Sequence, residues 1–163
     1  MTGEPYKGRP STVAAQIRRA RGADAAELAR LSAELGYPVS ADEMSSRLAA
    51  ILGDDRHHVA VASTERALLA WIHVERRTSL ERGDRAEVIG LVVEGRVRRS
   101  GVGRKLVLEG ERWARTHGLA VITVRSNVAR DGAHPFYESL GYSRAKTQHV
   151  YEKALRRLRP AHN

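Results

Sequence analysis

The chain has 163 residues, 42% of them hydrophobic, with no cysteine and a formal net charge of +9. That length supports one compact domain with its own core, and the absence of cysteine excludes disulfides, thiolate zinc sites and a cysteine nucleophile together. The charge leaves open a nucleic-acid surface, affinity for a small polyanion, or simply an arginine-rich soluble protein.

Met1 to Ser11 is polar, contains Gly and Pro, and lacks the apolar run of a secretory signal. The domain is therefore expected over 15–156, between tails at 1–14 and 157–163. Gln16 to Arg19 reads as a first strand. Asp24-Ala25-Ala26-Glu27 has the form of a capping box, followed by Ala25, Leu28, Ala29 and Leu35 at helical spacing. Gly36, Tyr37 and Pro38 break that helix. Ser40-Ala41-Asp42-Glu43 starts a second helix, whose apolar stripe is Met44, Leu48, Ile51 and Leu52.

Three strands are expected next, over His58 to Ser63, Leu68 to Glu75 and Ala86 to Val93, with polar Arg76 to Asp84 as a connection. The last of these is apolar enough to be buried on both faces. A helix follows from about Gly101 to His117, with Val102, Leu106, Trp113 and Ala114 inward and Gly118 as its stop. Ala120 to Arg125 reads as a strand, Pro135 to Leu140 as a short helix, and Tyr142 to Leu155 as one or two closing strands. The order predicts a mixed α/β fold with a strand-helix-strand unit in its second half. No run of about 18 apolar residues occurs, so no membrane span is expected.

The chemistry concentrates where the strand ending at Val93 passes through Arg98-Arg99-Ser100-Gly101-Val102-Gly103-Arg104 into a helix. The first amides of a helix lack internal partners and its dipole makes that end positive, which suits an anion. Gly101 and Gly103 allow close backbone approach, and Arg98, Arg99 and Arg104 supply forked donors for phosphate oxygens. A pyrophosphate fits this assembly; a plain strand-to-helix turn with solvated arginines is the bland alternative. Neither a Gly-x-x-x-x-Gly-Lys-Ser/Thr loop nor the three-glycine dinucleotide fingerprint is present.

Arg98-x-x-Gly101-x-Gly103 resembles the Gln/Arg-x-x-Gly-x-Gly/Ala signature of the GNAT superfamily of N-acetyltransferases. Asn127, followed by Ala133-His134-Pro135-Phe136-Tyr137-Glu138-Ser139-Leu140-Gly141-Tyr142, resembles its second hallmark, about 30 residues further on. Gly90-Leu91-Val92-Val93 resembles the family's fourth strand. The likeness runs from about Gln16 to Leu155. It implies a mostly antiparallel, twisted sheet of six to seven strands, flanked by about four helices, with the fourth and fifth strands splayed. It also implies acetyl-coenzyme A as acyl donor, no metal, and a ternary complex with a primary amine. The pantetheine arm would lie along Leu91, Val92 and Val93, and the pyrophosphate at Arg98 to Arg104, including Ser100 and Val102. Asn127 would bond the arm and Phe136 would pack beside it.

An alkyl ammonium has a pKa near that of lysine, about 10.4, and must lose a proton before it attacks. Glu87, eleven residues before Arg98, matches the resemblance's general base; a strand-end glutamate paired with an arginine such as Arg85 is the structural alternative. Tyr137 matches the acid that protonates the leaving thiolate, its phenol staying protonated below about pH 10; a core tyrosine is the alternative. His57 and His58 are adjacent, so on a strand their rings point to opposite faces and cannot share a metal. Trp71 and His73 share a face, bordering an acceptor pocket or packed in a core.

The acceptor, a small-molecule amine or a protein amine, is expected against Asp24 to Leu52, Arg76 to Asp84 and the last strands. The second hallmark and the end Lys146 to Lys153 resemble small-molecule and aminoglycoside-like members. A polycation would need local acidity from Glu27, Glu34, Asp42, Glu43 or Glu81. A catalytically silent acyl-coenzyme A-binding module remains a rival. Aromatic residues are only 5% and no contiguous basic tract occurs, which weighs against nucleic acid. The absence of cysteine fits a cytoplasmic enzyme, and the resemblance implies a homodimer that no sequence patch establishes.

Overall fold

The computed structural model describes residues 14–125 and 132–155. It forms two compact units, Met1–Asn127 and Val128–Asn163. The first contains β1 (Gln16–Arg19), a 3-10 turn (Gly22–Asp24), α1 (Ala25–Glu34), α2 (Ala41–Leu52), β2 (His57–Ser63), β3 (Leu68–Ser79), β4 (Gly83–Val93), a second 3-10 turn (Gly95–Val97), α3 (Val102–Thr116) and β5 (Ile122–Val124). The second contains α4 (Ala133–Ser139). The strands form one sheet in the order β1-β2-β3-β4-β5. All neighbours are antiparallel except β4 and β5, which are parallel and joined through α3, as a parallel pair requires. Mixed α/β architecture, a mostly antiparallel sheet and four helices all agree with the reading of the sequence. Among the described residues no helix is long and apolar enough to cross a membrane.

Alternation along the strands divides the core into two layers. On one face, α3 lies so close to β3 that a Cβ on Gly110 would stand 2.9 Å from Val74 Cγ2. Leu106 and Val107 of this helix are fully buried. On the other face, Leu28, Leu31 and Leu48 of α1 and α2 pack on Val59, Val61, Leu68 and Val92, with Trp71 at the margin. The adjacent histidines separate as alternation demands. His57 meets His73, while His58 stacks on Trp113 of α3 at 5.7 Å.

Three expectations are corrected. Arg76 to Asp84 is not a connection: β3 runs on to Ser79 and β4 starts at Gly83, leaving 80–82 as the hairpin loop. Polar strands hold together here because cross-strand charges pair, with Arg76 Nε 2.9 Å from Asp84 Oδ2. Tyr142 to Leu155 forms no strand, so the described sheet has five strands rather than six or seven. Val150, Tyr151 and Leu155 are more than four-fifths exposed, so burial contributes little to ordering an extended backbone there. Asp24 makes no side-chain cap for α1. Its carboxylate turns back to Arg18 and accepts from the Arg21 amide at 2.8 Å. Ser40 does cap α2, accepting from the Glu43 amide at 3.1 Å.

Arg30 of α1 ties this helix to the strand ends. It donates to Glu27 at 2.9 Å, Glu34 at 3.0 Å, Glu94 at 3.1 Å and the Leu68 carbonyl at 3.0 Å. Across the sheet, Gly90 leaves room for the Trp71 ring, since a Cβ there would lie 2.8 Å from both Cη2 and Cζ3. Gly90→Ala is therefore expected to lower the unfolding free energy by about 1–3 kcal/mol, read by urea titration with circular dichroism. A change within about 0.5 kcal/mol, ordinary for a surface position, would show that the ring moves aside freely.

Candidate active site

β4 is irregular where the sequence places the cofactor strand. His73 pairs with Gly90 but Val74 pairs with Val88, so Ile89 is an extra residue, a bulge. Pairing with β5 covers only Ala86, Val88 and Glu87 between them, and ends at Val88 opposite Val124. Beyond that point β4 continues to Val93 with β3 as its one partner in the described sheet. The backbone edge from Ile89 to Val93 thus offers hydrogen-bonding groups to an extended chain, as an open strand edge does. Leu91 and Val93 are half-buried and Val92 is buried. Ile89 is 46% exposed, so β4 is buried on both faces only in part.

At the end of this strand the backbone turns sharply. Arg99 (φ 63°) and Gly101 (φ 86°) both adopt left-handed backbone. Gly101 is the N-cap of α3, without a side-chain cap, and no acidic residue lies in the first turn. The first amides of the helix are therefore left for another acceptor. Space is open where a Cβ of Gly101 would stand. Arg98, Arg99 and Arg104 are exposed, while Val102 and Gly103 are buried. Arg98 Nε reaches back to the Val93 carbonyl at 3.4 Å, and the Ser100 hydroxyl donates to the Val97 carbonyl. Uncapped amides, open space over a glycine and three guanidinium groups fit a diphosphate by charge and by donor chemistry.

Glu87 lies on the α1–α2 side of the sheet, because its neighbour Val88 pairs with Val74 on the α3 side. It is 7% exposed. Its partners are Arg77, whose Nη1 is 3.2 Å from both carboxylate oxygens, and Arg125, whose Nε is 3.0 Å from Oε1. The arginine pairing foreseen from sequence exists, but with these residues and not with Arg85. Reading 76–84 as a connection hid Arg77, since only the strand register places it across from Arg85 and beside Glu87.

His73 was legible as a neighbour of Trp71 on this face, but its partner was not. Its Nε2 is 3.0 Å from His57 Nδ1. Burial first, then the charges of His57 and His58, push its pKa down to about 4. Burial also lowers His58, against the opposing pull of Glu109. Glu94, which closes β4, is held below the usual carboxylate range first by its bond to Arg96 and then, against burial, by Arg30.

Tyr137 and Phe136 lie on α4 in the second unit, half-buried. The Phe136 ring meets Tyr137 at 5.0 Å, and Tyr142 meets Tyr137 at 5.6 Å. The expected roles of Asn127 fall outside the described residues.

Between about pH 4 and 6.5, the unfolded chain holds a proton on His73 that the folded chain does not. The stabilisation from neutral His73 is thus fully present above pH 6.5 and is lost as pH falls to about 4. For a partly shielded ring this amounts to roughly 2–3 kcal/mol. Urea unfolding across this range should show a shallower pH dependence for His73→Gln than for wild type. Parallel profiles would mean that the ring titrates alike in both states.

The family model for the acetyltransferase (GNAT) family matches residues 25–142 of this chain. An uncharacterized N-acetyltransferase, YhdJ of Bacillus subtilis, is 25% identical over 119 residues, 72% of this chain and 84% of its own length. Among solved structures, a transcriptional regulator from Bacillus halodurans superposes with a TM-score of 0.78 at 20% identity, covering 85% of this chain and 99% of its own. Aminoglycoside N-acetyltransferase AAC(6')-Iy in complex with CoA superposes with a TM-score of 0.74 at 16% identity, covering 86% of this chain and all of its own, 100%.

Proposed function

Since the chain belongs to the acetyltransferase (GNAT) family, we propose that it moves an acetyl group from acetyl-coenzyme A to a primary amine of a small molecule, by direct attack within a ternary complex. The observation that carries this reading is the conjunction of the half-paired end of β4 with the uncapped start of α3. One offers a backbone ladder for an amide-bearing arm, and the other offers donors for the diphosphate at the arm's end. A CoA complex of a protein with the same fold supports the donor.

Leu91, Val92 and Val93 bind the arm through their backbone, and an amide of this strand polarises the thioester carbonyl and holds the charge that develops on its oxygen. Arg98, Arg99, Ser100, Gly101, Val102, Gly103 and Arg104 hold the diphosphate through amides and guanidinium groups. Glu87 accepts the proton of the incoming ammonium, directly or through a water. Both its oxygens already receive hydrogen bonds from Arg77, and one from Arg125. Oε1 carries two of these contacts and Oε2 one, so of the roughly four lone-pair sites of a carboxylate the free one is on Oε2, where the proton would go. Tyr137 donates a proton to the departing thiolate, and Asn127 and Phe136 flank the arm. The enzyme works in the cytoplasm in this reading, consistent with a chain without cysteine.

Calorimetric titration with acetyl-coenzyme A tests the donor site first. Wild type should bind with a Kd of about micromolar order, and the Gly101→Glu, Gly103→Glu double variant, its fold checked by circular dichroism, should not bind. Absence of binding by folded wild type would sink the donor assignment. With donor bound, thiol release over a panel of amines reports transfer. Glu87→Gln should bind the donor normally and turn over about 100-fold or more slowly, and Tyr137→Phe should likewise retain binding and lose rate. Binding without transfer to any amine would instead mark the chain as a silent acyl-coenzyme A-binding module.

A further inference from the structure

The face that carries Glu87 holds a cluster of guanidinium groups of which the acetyl-transfer reading uses only the contacts of Arg77 and Arg125 to Glu87. Arg77 and Arg85 are direct cross-strand partners, and Glu75 and Glu87 are the next pair on the same face. Arg125 completes the group through its bond to Glu87. Asp84 cannot serve Arg85: it alternates to the other face, where Arg76 and Thr78 engage it. Arg85 is only 9% exposed, and its Nη2 is buried with no hydrogen-bond partner among the described residues. A guanidinium stays charged at any working pH, and a buried donor left unmatched is costly. Its planar fork matches the paired oxygens of a carboxylate or phosphate.

We propose that Arg85, supported by Arg77 and Arg125, binds an acidic group on the acceptor, so that the substrate class is an amine carrying its own carboxylate or phosphate. This rests on the acetyl-transfer reading above for the identity of the site. Arg77 and Arg125 spend Nη1 and Nε on Glu87, and three guanidinium groups face two carboxylates, Glu75 and Glu87. The face therefore keeps a positive excess when Glu87 is ionised. Arg85 and Glu87 are two residues apart along β4, about 7 Å, which sets the separation between the acid and the reacting amine at a few bonds. Three of the four acidic residues of α1 and α2 offer little of the opposite preference, Asp42 being the fourth. Glu27 and Glu34 are paired with Arg30, and Glu43 with Arg47, so a polycation would find those carboxylates already engaged.

The test uses the full chain with coenzyme A at saturation, so that anion sites in the Arg98 to Arg104 loop are filled. Calorimetry would compare 4-aminobutyrate, 3-aminopropyl phosphate, butylamine and putrescine. The proposal expects one or both acidic amines to bind at least about tenfold tighter than butylamine, with putrescine weakest; which acid binds better separates carboxylate from phosphate. Arg85→Met should reduce this binding about 10- to 100-fold, the range for a hydrogen bond between charged groups. Arg85→Lys should restore part of it, and Arg47→Met, on the exposed side of α2, should change nothing. If Arg85→Met fails to fold, Arg77→Met carries the test: its side chain is 44% exposed, and it should weaken the acidic amines several-fold relative to butylamine, whose own change reports the loss of the Arg77 contact to Glu87. Equal binding of amines with and without the acidic group, or loss of the same size for both in the folded variants, overturns the proposal whatever the transfer assay gives. Acid-dependent binding without thiol release from acetyl-coenzyme A would instead overturn the enzymatic reading and leave the anion site standing.

Discussion

β4 is hydrogen-bonded to β3 from Gly83 to Val93 but to β5 only from Ala86 to Val88. A sheet strand with one unpaired edge normally invites association, and proteins blunt or cover such edges. Here the imbalance is built in by the extra residue Ile89 and by a β5 of three residues. The rest of the first unit is arranged around holding β4 in that state. The long β3–β4 hairpin anchors it on one side, α3 presses the sheet from below through Gly110, and α1 fixes its far end through Arg30 and Glu94. In the proposed reading, a backbone held open in this way is already shaped for the pantetheine arm, which reduces the ordering that binding would otherwise require.

The positive charge of the chain is distributed with purpose rather than spread evenly. Many arginines are consumed in local pairs, such as Arg30, Arg47, Arg56, Arg76, Arg112 and Arg115. Exposed pairs of this kind contribute little stability each. Around β4 the pattern differs: after it, Arg98, Arg99 and Arg104 are in no ion pair among the described residues, and near its start Arg77 and Arg125 share the single carboxylate of Glu87 while the buried Nη2 of Arg85 has no partner there. Net charge alone could not separate these groups, because the same +9 serves a nucleic-acid surface or a solvated shell equally well.

How much of this the sequence disclosed depends on the range of the physics involved. Features set by local chemistry were legible: the Gly101 helix start, the Ser40 cap, the inward stripe of α3 and the opposite orientation of His57 and His58. Gly90 was legible only as part of the run Gly90-Leu91-Val92-Val93; that its lack of a side chain admits the Trp71 ring is revealed by the register alone. The polar ends of β3 and β4 were misread because their stability comes from cross-strand ion pairs, which alternation of apolar residues does not report. Arg77 and Arg85 were therefore assigned to a connection or to a default partner, and the cluster around Glu87 went unseen. Tyr142 to Leu155 had the composition of strands without the burial that strands need.

The contact between Trp71 and Gly90 also bears on how the protein can change. A large ring is allowed at position 71 because position 90 has no side chain, and the small residue at 90 avoids a void because the ring covers it. Neither site can be altered first without loss, although a smaller residue at 71 together with a larger one at 90 restores the same volume. Directed evolution by single steps would find this part of the sheet face frozen, whereas a library that varies both positions together opens it; a pairwise scan showing purely additive effects would argue against that lock.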